Sequence, residues 1–298
     1  MKVILFTEKN SPYGIEFLKR IHEHEKVSSV MLVTRESLMP FNYYQYDNQL
    51  YDIKEIVKEL NVKHIEQDDL KNQDFLKVIK QFDPDLIVIG NFQKKLNSEL
   101  CNLAKKGALN FHPSPLPRYA GLAPFFWMAM NSERLGGVSC CRVADIIDGG
   151  DIIDQYAIAL NGNENSYQIR ECHFQKAYQL LDKILYDAFD DCLVPTTQTS
   201  ENRTYYSAPT EDLLQINWSD TTQHILQIIR AASPLPGAMV TLGNNKTIRI
   251  TDADEFFLIQ EIASPGTIKY HNEYPIIATS DGWLRVKSLS SVGSQLIV

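Results

Sequence analysis

Asp85-Leu86-Ile87-Val88-Ile89-Gly90 is apolar from end to end between an aspartate and a glycine. A strand with one wet face alternates apolar and polar residues, whereas an unbroken run of this length suits a strand covered on both faces, as in a parallel sheet flanked by helices. The neighbouring segments fit that setting. Phe75 to Phe82 has helical spacing, as do Gly14 to Ile21 and Ile53 to Leu60. Between them, Lys2 to Phe6, Val27 to Thr34 and Val62 to Ile65 are short apolar runs. Strand and helix alternate, which predicts an α/β fold with a doubly wound parallel sheet.

Downstream of Gly90 comes Asn91-Phe92-Gln93-Lys94-Lys95-Leu96, then a helix predicted over Ser98 to Lys105. In open α/β sheets, ligands sit beyond the carboxyl ends of the strands, where this segment lies. Next is Ala108-Leu109-Asn110-Phe111-His112-Pro113-Ser114-Pro115-Leu116-Pro117. Asn110 and His112 are two residues apart on an extended stretch, so their side chains leave one face and can reach one reacting atom. The three prolines remove backbone donors, forbid helix and stiffen the loop that follows. Gly137 to Val143 and Asp151 to Ile158 read as two strands joined by the Asp148-Gly149-Gly150 turn, whose glycines permit a tight path and expose the Asp148 carboxylate. Gly121 to Met130 reads as an apolar helix with Pro124 in its first turn, and Asn165 to Phe189 as a long helix.

A carboxamide, an imidazole and a carboxylate together suit acyl transfer. Asn110 can donate to a developing oxyanion. His112 can hold either protonation state near neutrality. Asp148, within reach of the ring, would favour the imidazolium and fix its tautomer. A Ser114 hydrolase fails because no Gly-x-Ser-x-Gly elbow surrounds that serine and a proline follows it. A plain nucleotide-binding module fails because Thr7-Glu8-Lys9-Asn10-Ser11-Pro12 stands where a Gly-x-Gly-x-x-Gly turn would follow the first strand.

This pattern resembles the formyltransferases that use 10-formyltetrahydrofolate, a family including glycinamide ribonucleotide, methionyl-tRNA and sugar-nucleotide members. The family's Asn, His and Asp fall on Asn110, His112 and Asp148, although its usual Ser-Leu-Leu-Pro is Ser114-Pro115-Leu116-Pro117 here. The resemblance is strong to about Tyr156 and looser beyond. It implies a pterin pocket formed by Phe92, Lys95, Leu96 and Ile147. Trp127 resembles an aromatic found in sugar-nucleotide members, though its own sequence context suits a buried core residue. Arg118, Tyr119 and the tyrosine-rich Met39–Tyr51 stretch are candidates for recognising the acceptor.

The resemblance also gives the domain plan: a catalytic domain over 1–193, a polar linker over 194–204 and an OB-like open β-barrel over 205–298. Short strands and Gly-Asn, Pro-Gly and Asp-Gly turns in the last part agree. The acceptor is expected to be the amine of a small molecule, such as a nucleotide-linked amino sugar, with methionyl-tRNA as the alternative and donor hydrolysis as a third outcome. Three features weigh against tRNA. The formal net charge is −8, the Met39–Tyr51 stretch lacks the basic insertion that tRNA-acting relatives carry, and from Tyr205 onward six Lys and Arg residues face nine acidic ones.

The composition, 44% hydrophobic and 22% charged over 298 residues, is that of a globular protein. Without a signal segment or an eighteen-residue apolar run, a cytoplasmic location away from membranes is expected. The five cysteines lack ligand spacing and read as reduced, mostly buried thiols, with no metal site. The oligomeric state is open, a homodimer included.

Overall fold

The computed structural model describes residues 1–37, 52–242, 246–257 and 263–290. Met39–Tyr51, a candidate acceptor-recognition stretch, and the Gly243-Asn244 turn lie outside the described residues.

The first half is a seven-stranded sheet. It contains β1 (Lys2–Phe6), β2 (Ser29–Thr34), β3 (Lys63–Glu66), β4 (Leu86–Ile89), β5 (Ala108–His112), β7 (Leu135–Arg142) and β8 (Ile152–Ala159) in the order β3-β2-β1-β4-β5-β7-β8. The β3-β2-β1-β4-β5 strands are parallel, and β7 and β8 add antiparallel at one edge. The doubly wound reading therefore holds, with a mixed sheet in place of a wholly parallel one. The hairpin return through Asp148 makes the last two strands antiparallel.

The apolar stretch that opens the argument is β4, and all four of its residues are buried. Its side chains divide between two cores. Leu86 and Val88 join Val3 and Leu5 on one face, packed with Phe17, Leu18 and Ile21 of α1 (Pro12–Glu23) and with α6 (Ser166–Phe189). Ile87 and Ile89 join Ile4 and Phe6 on the other, packed with Phe75, Leu76 and Ile79 of α3 (Gln73–Phe82). Successive strand residues alternate faces, so a strand buried on both must be apolar throughout. Each such side chain contributes about 1.5–3 kcal/mol by leaving water.

Helix α2 (Ile53–Glu59) lies between β2 and β3 in the chain, and α4 (Ser98–Cys101) is shorter than the predicted Ser98–Lys105 helix. After Cys101 the chain tightens into bonds three residues apart, Leu103 N–H to Leu100 O and Ala104 N–H to Cys101 O. The next amides turn away to Pro84 O and Asp85 O, anchoring the approach to β4 instead of extending the helix. Asn165 and Gln168 form a reciprocal cap that starts α6 one residue after the expected boundary.

In the second half, α7 (Thr222–Ala232) precedes β10 (Ala238–Thr241), β11 (Thr247–Glu255), β12 (Ile268–His271), β13 (Tyr274–Ala278) and β14 (Trp283–Ser290). They form an antiparallel sheet in the order β10-β11-β14-β13-β12. The apolar residues of α7 share one core with those of α5 (Pro124–Met130). A two-stranded parallel piece, β6 (Ala120–Gly121) with β9 (Tyr205–Tyr206), also joins the halves. No helix among the described residues is long and apolar enough to cross a membrane.

Candidate active site

The sheet changes direction between β1 and β4, and the segments after their carboxyl ends bound the site. Asn110 and His112 leave one face of β5, as their spacing requires. Asp148 arrives on the turn between β7 and β8. The three converge: Asn110 Nδ2 donates to Asp148 Oδ1 at 3.0 Å, and His112 Nδ1 lies 3.7 Å from Asp148 Oδ2. Gly121 N–H, which the sequence reading did not single out, donates to the same Oδ2 at 2.9 Å.

Two expectations about this trio change. The Asp148 side chain is only 8% exposed, because its oxygens point inward at Asn110 and Gly121 instead of out of a glycine turn. Its own φ is 51°, so the tight geometry rests on the aspartate as well as on the glycines after it. The His112 tautomer is set by a different group. Nε2 lies 2.9 Å from the Tyr119 carbonyl oxygen, which can only accept. Nε2 therefore carries a hydrogen, and Nδ1 faces Asp148.

Two cavities meet at Asn110 and Asp148. One, of about 210 Å³, is lined by Phe92, Lys95, Leu96 and Ile147, the four residues expected at the donor pocket, together with Asn110, Leu122, Cys141, Val143 and Asp148. Phe92 is braced edge-on by Phe6 at 5.3 Å. Lys95 Nζ donates to Asp145 O at 2.7 Å, fastening the 92–96 segment to the loop that carries Asp148. The other cavity, of about 130 Å³, is lined by Tyr13, Asn91, His112, Gly121 and Phe174, and shares Phe92, Gln93, Asn110, Leu122, Ile147 and Asp148 with the first. Asn91 is held in a chain that donates from its Nδ2 to Ser11 Oγ and accepts at Oδ1 from Gln93 Nε2. Gln93 N–H donates at 2.8 Å to Glu8, whose carboxyl pKa is raised by burial.

Several sequence candidates go elsewhere. Arg118 pairs with Glu133 at 2.6 Å and donates to Leu135 O, so its charge is committed to the sheet edge. The Tyr119 hydroxyl also donates to Glu133. Trp127 is half-buried, not core: it stacks on Tyr206 at 4.7 Å and donates from Nε1 to Ser207 O. Ser114 is fully buried, with its Oγ donating to Arg118 O, which removes it as a nucleophile. All five cysteines are free thiols, although Cys101 and Cys172 are only half-buried and Cys192 is exposed. Cys141 pairs across from Asn110 and lines the larger cavity. Burial, followed by the nearby Asp148 charge, pushes its pKa up and keeps the thiol neutral. Among the described residues no group of three His, Cys, Asp or Glu could hold a metal ion.

The formyl transferase family model matches residues 1–184, and the model of the formyl transferase C-terminal domain matches 210–297. The chain belongs to the formyl transferase family. Among this formyl transferase's sequence relatives, a methionyl-tRNA formyltransferase of Caldanaerobacter subterraneus is 26% identical over 246 residues, covering 82% of this chain and 78% of its own. One from Caldicellulosiruptor saccharolyticus is 28% identical over 248 residues, with the same coverage of 82% and 78%. In three dimensions, the N-formyltransferase of Helicobacter canadensis, solved in complex with folinic acid and dTDP-3-aminofucose, superimposes with a TM-score of 0.70. It is 18% identical, over 96% of this chain and 99% of its own. That likeness is one of fold. Formyl transfer is the reaction class of this enzyme.

Proposed function

We propose that the protein moves a formyl group from 10-formyltetrahydrofolate to the primary amine of a small molecule, a nucleotide-linked amino sugar being the acceptor that fits best. The observation that carries this reading is the position of Asn110 and Asp148 in the wall shared by two cavities, with His112 lining the smaller of them. A transfer between two bound molecules needs its polar groups at such a junction.

The larger cavity suits a flat ring with several hydrogen-bonding edges. Apolar side chains supply its walls, and the consecutive residues 92–96 and 141–144 bring main-chain groups alongside. The acceptor amine enters from the smaller cavity. Its nitrogen forms a bond to the formyl carbon while the bond from that carbon to the folate nitrogen breaks, and one proton passes from the amine to the departing nitrogen. Asn110 has two amide hydrogens: one is held by Asp148 Oδ1, and the other, beside the weakly accepting Cys141 thiol, can turn to the oxyanion. His112 Nδ1 can take the amine proton. The imidazolium formed is then flanked by the Tyr119 carbonyl at 2.9 Å and the Asp148 carboxylate at 3.7 Å.

The acidic balance, with a formal charge of −8, supports a small acceptor over tRNA. The Helicobacter canadensis protein, solved with a dTDP-linked amino sugar, agrees with this choice. Methionyl-tRNA is the second reading, favoured by the names of the sequence relatives. The test is a panel of dTDP- and UDP-linked amino sugars and charged initiator tRNA, each incubated with 10-formyltetrahydrofolate and read by mass. Formylation of an amino sugar is expected. Efficient formylation of the tRNA alone would overturn the acceptor, and formate release without any formylated amine would identify a hydrolase.

A further inference from the structure

We propose that the stretch joining the two halves is part of the active site, with Gln198 and Arg203 as positioning residues that hold Asp148 in its working orientation. The inference rests on the catalytic reading of Asp148 given above.

Asp148 adopts a left-handed backbone, φ 51°, a conformation that aspartate tolerates but that still needs the turn held in place around it. Three carbonyls of this turn point at the joining stretch. Gln198 Nε2 donates to Asp148 O at 2.9 Å and to Gly150 O at 2.6 Å. Arg203 donates to Ile147 O at 2.7 Å and to Asp148 O at 3.3 Å. Oxygens facing one direction repel, and without these donors the turn would rotate to separate them. No carboxylate pairs with Arg203 among the described residues, so its guanidinium serves peptide oxygens alone.

The same stretch also holds the other side of the carboxylate. Gly121, whose N–H donates to Asp148 Oδ2, lies in β6, and Ala120 N–H and Leu122 N–H on either side of it donate to Thr204 O and Tyr206 O. One short segment therefore fixes both the backbone that carries the carboxylate and the amide that receives it. Gln198 Oε1, meanwhile, is buried without a partner among the described residues. A buried acceptor left without a donor is a cost that packing alone does not explain. It is accounted for if the two donors on Nε2 are what the site requires.

The full chain is compared with Gln198→Ala, Arg203→Ala, Arg203→Lys and Asp148→Asn, after circular dichroism shows each variant folded. Hydrogen exchange of the Gly121 amide needs no acceptor. It is expected to accelerate at least tenfold in both alanine variants, while Ala120 N–H, bonded to backbone, keeps its rate. Turnover of a dTDP-linked 3-amino sugar, or of charged tRNA if the panel selects it, is expected to fall about tenfold in kcat for each alanine variant and about a hundredfold in the double variant. KM should stay within twofold, and Arg203→Lys should recover part of the loss. Adding Arg203→Ala to Asp148→Asn should change little, because no carboxylate is left to position. Unchanged Gly121 exchange, or kcat within twofold of wild type in the folded alanine variants, overturns the proposal. Wild-type turnover by Asp148→Asn overturns the catalytic reading of Asp148 instead.

Discussion

At the scale of single residues, the proposed chemistry turns on the amide of Asn110. Asn110 donates to Asp148 and stands beside the neutral Cys141 thiol, so truncating this side chain removes the proposed oxyanion donor and also strips a partner from the carboxylate. Asn110→Ala is expected to lower kcat by 10²–10³, about 2.7–4 kcal/mol, with a smaller change in KM. Asp148→Asn is the more discriminating change. Asparagine tolerates the left-handed backbone and can still accept from Gly121 N–H, so the fold should persist, with Tm within a few degrees of wild type. The negative charge beside His112 is gone, and kcat should fall by about 10² or more. Asp148→Ala, which loses the acceptor too, should show both defects.

At the scale of elements, the Pro-rich loop after β5 is tied to β7 by a buried hydroxyl. Ser139 Oγ, fully buried on β7, donates to Ser114 O and accepts from Leu116 N–H and Gln155 Nε2. Ser139→Ala leaves those groups short of a partner and is expected to cost about 1–3 kcal/mol, read as a lower urea midpoint at constant m. The turn of Asp148 makes a comparable demand at Gly150. A Cβ there would stand 1.9 Å from Arg142 O, in the strand that leads into the turn. Much of this level is legible in the sequence. β4 is apolar because both its faces are covered, and a two-residue spacing puts Asn110 and His112 on one face. What escapes the sequence is pairing between distant stretches. Nothing about Cys140-Cys141 marks one thiol as cavity wall until β7 lies against β5 and sets Cys141 opposite Asn110. Gln198 and Arg203 sit in a polar, non-periodic stretch, and their partners are peptide oxygens 48–56 residues away, which no residue type announces. Arg118 shows the reverse case, a cation beside the site whose charge a nearby glutamate has taken.

At the scale of the whole molecule, the long α6 helix is tied to the sheet through a neutral histidine. His173 Nε2 accepts from Gly137 N–H on β7, while its Nδ1 lies 2.7 Å from the carbonyl of Ile169, one helical turn earlier. Burial lowers its pKa from 6.5 to about 4. Between those values the unfolded chain binds a proton that the folded chain refuses. The contribution is therefore complete above about pH 6.5 and is lost as the pH falls to about 4, roughly 3 kcal/mol in all. The imidazoles of His24 and His64, lowered chiefly by burial, act in the same direction. His173→Gln should flatten the acid side of the stability curve by up to one proton's slope, measured by chemical denaturation across pH 4–7. An unchanged slope would show that His173 is already protonated in the folded state.

The β6–β9 pairing also bears on how such a molecule can be cut and rejoined. A chimera that exchanged the carboxyl-terminal module at residue 194 would discard the strand beside Gly121 along with both side chains that grip the Asp148 turn. The workable seam lies after Ser207, whose carbonyl receives the Trp127 indole, so that the donated module begins with the short turn leading into α7. Engineering new acceptor specificity by swapping modules thus means leaving the join with the amino-terminal half.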